Sequence, residues 1–170
     1  PELTQTRVQG LYLDASGALW INTFRGGLTS YRDGVFHSEW PDQSSYDMHT
    51  MLVDSTSNLV TFVTQYGEVL RRNPAFTNEA WSVVSPAAGS RPIFQCTDAA
   101  GVLWFLTRDG HILQFAHGEF QSLPDDGGLA GSHIYTLVAD AHGQVLAGAE
   151  NEIARWNGSL FTAMTPTNST

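Results

Sequence analysis

Apolar residues fall in short consecutive runs, each closed by an aspartate-led turn. Leu11-Tyr12-Leu13, Met51-Leu52-Val53, Ile93-Phe94 and Leu137-Val138 each lead into such a turn, at Asp14, Asp54, Asp98 and Asp140. A second run follows every turn: Leu19-Trp20-Ile21, Leu59 to Phe62, Leu103 to Leu106 and Val145 to Ala147. Two shorter segments complete each unit, one at 28–31, 69–72, 112–115 and 153–156, the other ending at Phe36, Phe76, Phe120 and Phe161. Runs of this length bounded by Gly, Asp and Asn predict β-strands, and periodicity that supports a helix is nearly absent. Strict alternation would mark a sheet with one wet face. Consecutive apolar residues in the first two strands predict sheets covered on both faces.

The pattern is a repeat. The anchor aspartates at 14, 54, 98 and 140 stand 40, 44 and 42 residues apart. That period suits a four-stranded propeller blade. The expected fold is therefore all-β, a β-propeller segment over residues 1–170 with four tandem blades of four antiparallel strands, near 8–40, 48–84, 92–123 and 134–164. Aspartate opens the first turn because its carboxylate accepts backbone N–H groups two residues on, and Gly17, Gly101 and Gly143 supply positive φ where the chain reverses. Trp20 and Trp104 fill one repeat position, which Val60 and Leu146 take in the other two copies, and are expected between blades. Linkers rich in Pro and polar residues (41–45, 85–92, 124–132) separate the copies.

The first copy carries Asp14-Ala15-Ser16-Gly17, Leu19-Trp20-Ile21-Asn22-Thr23, Gly26-Gly27-Leu28, Tyr31, Asp33-Gly34 and Phe36; the third keeps Asp98, Gly101, Leu103-Trp104-Phe105, Thr107 and Gly110. This repeat resembles that of the two-component regulator propeller family. The second and fourth copies are degenerate, and the family's Gly after the apolar triplet is Asn22 in the first copy and Leu106 in the third. The resemblance implies a propeller facing outward from a membrane, N-terminal to a linker, a transmembrane helix and a histidine kinase or similar output. It thus implies a non-catalytic periplasmic sensor segment that binds a small molecule or a protein. Leu103-Trp104-Phe105 with Gly110-His111-Ile112 is also similar to the repeat of streptogramin lyases, which keeps a propeller lyase or hydrolase as a lesser alternative. A protein-interaction scaffold is the other alternative.

Charge narrows the partners. The net charge is −9, and all eight basic residues are Arg. A field of that sign repels phosphate backbones and anionic lipid, so nucleic acid is not an expected partner. No apolar run reaches the ~18 residues of a membrane span, so direct insertion is not expected. The chain starts at Pro1 without a leader-like segment and reads as an excised piece of a longer protein. Half a ring would leave an apolar blade face open at each end, so three outcomes are expected alternatives: a small closed four-bladed ring, a partial ring that is a fragment of a longer chain, or a homodimer that completes a ring.

In an up-and-down blade the turns between second and third strands share one face with the inter-blade linkers. The first turns are nearly uniform and read as structural, whereas the residues that vary on the other face are Arg25, Trp40, Tyr46, Tyr66, Arg108 and His133. Aromatics and Arg on one face predict a ligand or partner surface. One aspartate per turn is too few for calcium, which takes ~6–8 oxygens, and the six histidines lack local zinc-ligand spacing. No metal or cofactor is expected. Gly-x-Ser-x-Gly is absent, and Cys96 sits in an apolar run without an activating neighbour, so no catalytic residue is assigned.

Overall fold

The repeated turn aspartates organise the chain. In the first copy Asp14 Oδ1 accepts the backbone N–H groups of Ser16 and Ala18, both at 2.9 Å, and Oδ2 accepts the Trp20 indole N–H at 2.8 Å. Asp98 repeats this with Ala100 and Val102, both at 2.9 Å, and with the Trp104 indole at 3.0 Å. Asp140 takes the N–H groups of His142 and Gln144. One carboxylate thus closes the turn and, where a tryptophan follows six residues later, fixes its rotamer. Burial works against the Asp14 charge, but the hydrogen bonds from Ser16, Trp20 and Ala18 outweigh it and hold the carboxyl below its ordinary range.

In a computed structural model these turns join strands into four sheets. Residues 7–14, 16–24, 27–40, 48–54, 59–72, 81–129 and 131–164 are described. The first sheet holds β1 (Val8–Leu13), β2 (Leu19–Thr23), β3 (Gly27–Arg32) and β4 (Val35–Trp40). The second holds β5 (Met48–Asp54), β6 (Leu59–Thr64), β7 (Val69–Arg72) and β8 (Ser82–Val84). The third holds β9 (Ile93–Thr97), β10 (Leu103–Leu106), β11 (Ile112–Ala116) and β12 (Glu119–Ser122), and the fourth β13 (Ile134–Ala139), β14 (Val145–Ala149), β15 (Ile153–Trp156) and β16 (Phe161–Ala163). Every pairing is antiparallel and strands follow in chain order, so the chain is all-β with four meander sheets. The chain divides into two compact units, Pro1–Ser85 and Pro86–Thr170.

Two details differ from the sequence reading. The fourth strand of the second sheet is Ser82–Val84 rather than a segment ending at Phe76, a residue outside those described. Pro74 has no N–H to give a ladder there, and Val84, Val83 and Ser82 pair with Val69, Leu70 and Arg71 instead. The register of β6 also shifts by one. Val53 pairs with Val60, whereas the equivalent Leu13 pairs with Leu19, so the second copy's turn is one residue longer and Thr61, not Val60, stands where Trp20 stands. A one-residue slip turns each side chain to the other face. Val60 and Phe62 accordingly face the first sheet.

The core of the first unit lies between its two sheets. Trp20, Leu28, Val60, Phe62 and Leu70 are buried there with Tyr12, Trp40 and Trp81 packed around them, and the Trp20 ring centroid is 5.8 Å from Phe62 and 6.4 Å from Trp81. An ionic cluster borders it. The Glu39 carboxylate accepts hydrogen bonds from Ser30, Arg32 and Arg72, and the Arg72 guanidinium lies 4.8 Å from the Trp81 ring centre. Burial works to raise the Glu39 pKa, but the Ser30 hydroxyl and the Arg72 and Arg32 guanidiniums hold it below the usual carboxylate range.

The second unit repeats the plan. Trp104, Ile112, Ile134, Leu137, Val145, Ala147, Ala154 and Phe161 are buried together, and the Trp104 ring stands edge-on to Trp156 at 5.2 Å and to Phe161 at 6.0 Å. The two aspartate turns also join, because Ala99 donates its N–H to the Gly143 carbonyl at 3.0 Å. A Cβ on Gly143 would meet Ala99 N at 2.5 Å, so only glycine admits this approach.

Candidate functional site

A threonine ends the second strand of the first two sheets (Thr23, Thr64) and directly follows that of the third (Thr107). In two of them it shapes the turn on the variable face. Thr107 accepts the His111 N–H at its hydroxyl (2.9 Å), and its own N–H reaches the His111 carbonyl (2.8 Å). Thr64 does the same for Glu68 N–H at 3.1 Å. These bonds occupy the backbone and present the intervening residues outward: Tyr66 in the first unit, Arg108 and Asp109 in the second.

In the second unit the outward residues gather with others from the linker. His133 stands beside the β10–β11 turn, where a Cβ on Gly110 would lie 3.9 Å from its Nδ1. The His133 and Tyr135 rings meet edge-on at 4.7 Å, and Tyr135 is exposed. His111 Nδ1 lies 3.1 Å from Asp126 Oδ2 and its Nε2 lies 3.9 Å from Asp109. The hydrogen bond and charge of Asp126 raise the His111 pKa above its ordinary value, and the Thr107 hydroxyl leads the lowering at Asp109. Arg108 is exposed and makes no ion pair among the described residues.

Asp126 is held by an unusual backbone. Asp125, Asp126, Gly127 and Gly128 have φ of 47°, 48°, 68° and 92°, a left-handed turn of four consecutive residues. Non-glycine residues there cost roughly 1–2 kcal/mol each, with Asp among the better tolerated. The compensations are local: Asp126 Oδ1 accepts the Ile112 N–H at 2.9 Å, and Gly127 packs so closely that a Cβ would lie 2.5 Å from Leu123 Cδ2 and 3.0 Å from Phe161 and Trp156. Strain of this kind, over-determined by its surroundings, concentrates at functional surfaces.

The six residues singled out from sequence therefore separate. His133 lies beside Gly110, two residues along the turn from the exposed Arg108. Tyr66 is exposed on a turn of the first unit. Trp40 is half-buried against the first unit's core, 5.6 Å from Trp81. Arg25 and Tyr46 lie outside the described residues. His111, Asp126 and Tyr135 were missed. Asp125-Asp126-Gly127-Gly128 is turn-forming composition, but only the fold brings Asp126 to His111.

The opposite side of the second unit, at the joined aspartate turns, carries an open cleft of about 280 Å³ lined by Asp98, Ala99, His142, Gln144, Trp156 and Asn157 among others. Both Asp98 oxygens already accept hydrogen bonds, from the turn and from the Trp104 indole, and Asn157 Oδ1 accepts the Ser159 and Leu160 N–H groups. Burial, helped by Asp98, pushes the Cys96 thiol up to about 11, so it is protonated near neutral pH. Among the described residues no three His, Cys, Asp or Glu side chains gather as metal ligands.

Solved structures match this arrangement over nearly the whole chain. Virginiamycin B lyase from Staphylococcus aureus, a catalytically inactive variant with quinupristin, matches 96% of the chain and 57% of its own length at 15% identity and a TM-score of 0.64. YCF48 from Cyanidioschyzon merolae matches 98% of the chain and 59% of its own length at 17% identity and TM-score 0.57. XC5397 from Xanthomonas campestris, a gluconolactonase, matches 94% and 62% at 13% identity and TM-score 0.51. The four sheets are blades of a β-propeller. The chain spans somewhat over half the length of the propellers it matches. At these identities the likeness shows the fold alone. No protein-family profile matches the chain, and no curated protein matches it in sequence.

Proposed function

We propose that the chain is a non-catalytic sensor segment of a two-component-type signalling protein, placed in the periplasm, and that it binds a small molecule or a protein at the variable-turn surface of its second unit. The observation that carries this reading is that His133, its ring edge-on to Tyr135, lies beside Gly110 of the turn that also holds the exposed Arg108 and His111. The repeated polar residues are engaged elsewhere: the carboxylates of Asp14, Asp98 and Asp140 hold turns, and Thr64 and Thr107 shape the variable ones. The blade motifs of the first and third copies support the signalling context through their resemblance to the regulator propellers.

Support for a binding rather than a catalytic surface comes from its chemistry. His111 is paired with Asp126 and lifted toward its charged form, which suits a fixed donor better than a general base. Arg108 offers a planar guanidinium for a carboxylate or a carbonyl-rich ligand.

The test is a melting-shift screen with named probes: the twenty amino acids, common mono- and disaccharides, dicarboxylates and tripeptides. At least one class is expected to raise the melting temperature of the wild-type chain, and the shift is expected to vanish in Arg108→Ala and in His133→Ala. If nothing raises it, the sensor reading falls and a scaffold reading, in which this surface meets another protein, takes its place. Turnover of quinupristin by the chain would contradict the non-catalytic reading and favour the lyase alternative.

A further inference from the structure

One asparagine in the sequence is followed by glycine, Asn157-Gly158, and it lies where the fourth sheet turns from β15 to β16. The turn closes through Asn157 itself. Its backbone N–H donates to the Leu160 carbonyl at 3.0 Å, and Trp156 and Phe161 pair directly outside it. Asn157 Oδ1 accepts hydrogen bonds from the Ser159 N–H, the Ser159 hydroxyl and the Leu160 N–H, each at 3.0 Å. These bonds draw the side-chain carbonyl forward over the peptide that follows it.

The groups that a ring closure at this turn needs are accessible. Asn157 and Gly158 are exposed. The Gly158 N–H and the Asn157 side-chain NH2 donate to nothing among the described residues. Gly158 has no side chain to shield its nitrogen, and beyond its chain neighbours no atom lies within 4 Å of where a Cβ would stand. The donors on Oδ1 polarise the amide carbonyl and stabilise the negative charge that its oxygen acquires when the carbon is attacked. Two other asparagines lack this combination: Asn151 is exposed but precedes Glu152, whose side chain crowds the nitrogen, and Asn22 is buried in β2.

We infer that Asn157 is a site of covalent modification, deamidated through a cyclic imide that it forms with the Gly158 nitrogen. Hydroxide takes the Gly158 N–H proton, and the nitrogen attacks Asn157 Cγ to form a C–N bond. The Cγ–Nδ2 bond then breaks, and ammonia leaves with a proton taken from water. Water opens the ring at either carbonyl: cleavage at Cγ gives an aspartyl product, and cleavage at the backbone carbonyl gives an isoaspartyl one. The net change replaces NH2 by OH, with water consumed and ammonia released. The fold treats the two products differently. An aspartyl carboxylate accepts the same donors, as Asp98 and Asp140 accept two backbone N–H groups in their own turns. An isoaspartyl link lengthens the backbone between β15 and β16 and disturbs the pairing of Trp156 with Phe161, whose ring lies 6.0 Å from Trp104 in the core. This is independent of the ligand surface at Arg108 and His133.

Peptide mapping of the whole chain tests it. The folded protein is held in mildly alkaline buffer at physiological temperature, sampled over days to weeks, digested, and its peptides sorted by mass and retention. The expected result is the mass gain of deamidation at residue 157, divided between an aspartyl and an isoaspartyl peptide, with Asn22 and Asn151 unchanged over the same period. A guanidinium-unfolded sample is followed beside it. Conversion at 157 in the unfolded sample alone, conversion in neither sample, or equal conversion at 151 and 157 in the folded chain would each overturn the inference. Asn157→Asp is expected to melt with the wild type and to gain no further mass in that peptide. The isoaspartyl form of the intact chain, separated by ion exchange, is expected to melt below both; if it melts with the wild type, the claim that the modification reaches the core is overturned.

Discussion

Replacing Glu39 with Gln is the sharpest probe of how the first two blades are joined. Glu39 holds Arg32 and Arg72, and its side chain is only 6% exposed; Arg72 is 8% exposed and Arg32 28%. Stripping one partner from a buried ion pair costs roughly 3–5 kcal/mol, because the remaining charge stays desolvated. Gln keeps some hydrogen bonding and Arg32 is partly solvated, so the expected loss is about 2–3 kcal/mol. For a chain of this size that lowers the melting temperature by about 5–10 °C. Tryptophan fluorescence is a suitable reporter, since Trp20, Trp40 and Trp81 lie in the same core. The pH dependence has a fixed sign. The folded-state pKa of Glu39 lies below its ordinary value, so its contribution is complete above the unfolded-state pKa and is lost as pH falls through the folded one. The gap between wild type and Glu39→Gln therefore closes on acidification. Glu39→Leu combined with Arg72→Met removes both members and is expected to recover much of the loss. A Glu39→Gln protein within about 0.5 kcal/mol of wild type near neutral pH would refute the reasoning, since that is the scatter of ordinary surface substitutions.

Trp104→Phe keeps a ring against Trp156 and Phe161 but removes the indole bond to Asp98, so urea unfolding is expected to show a loss of about 1–3 kcal/mol. Gly127→Ala forces a Cβ against Leu123 and a left-handed φ on alanine, and a loss of at least about 1–2 kcal/mol is expected by the same assay. Asp126→Asn removes the charge that raises His111, so the His111 titration followed by proton NMR is expected to move down in pH. The wild-type order has its own sign: His111 gains its carboxylate partner only on folding, so its contribution is present below the unfolded-state pKa and lost as pH rises through the folded one.

The strand plan was legible because the repeat writes it several times. Asp14, Asp98 and Asp140 announce their turns through side-chain chemistry that is local in sequence, and the structure adds why a tryptophan follows six residues later: its indole completes the same carboxylate's hydrogen bonds. The second copy was misread where that local signal fails. Asp54-Ser55-Thr56-Ser57-Asn58 has no glycine to fix the turn length, so an extra residue went uncounted and the faces of Val60 and Thr61 were exchanged. Its fourth strand was placed by analogy at Phe76, though the pairing that forms uses Ser82–Val84. The surface was half legible. Arg108 and His133 stand out as departures from the repeat, whereas Asp126 reaches His111 only through a left-handed turn closed by contacts to Phe161 and Trp156, which are far along the chain. Trp40 carried the composition of a recognition residue but sits against the core, since an aromatic beside a linker serves packing equally well.

Chemical-shift mapping tests the central claim most directly. Assigned amide spectra of the whole chain would be recorded during titration with whichever probe most raises its melting temperature. The expected result is a set of shifts confined to residues 107–111, 125–128 and 133–135. Shifts confined to the cleft at 98–101, 140–144 and 156–158 would place recognition on the side where the repeated aspartates lie and contradict the proposed surface.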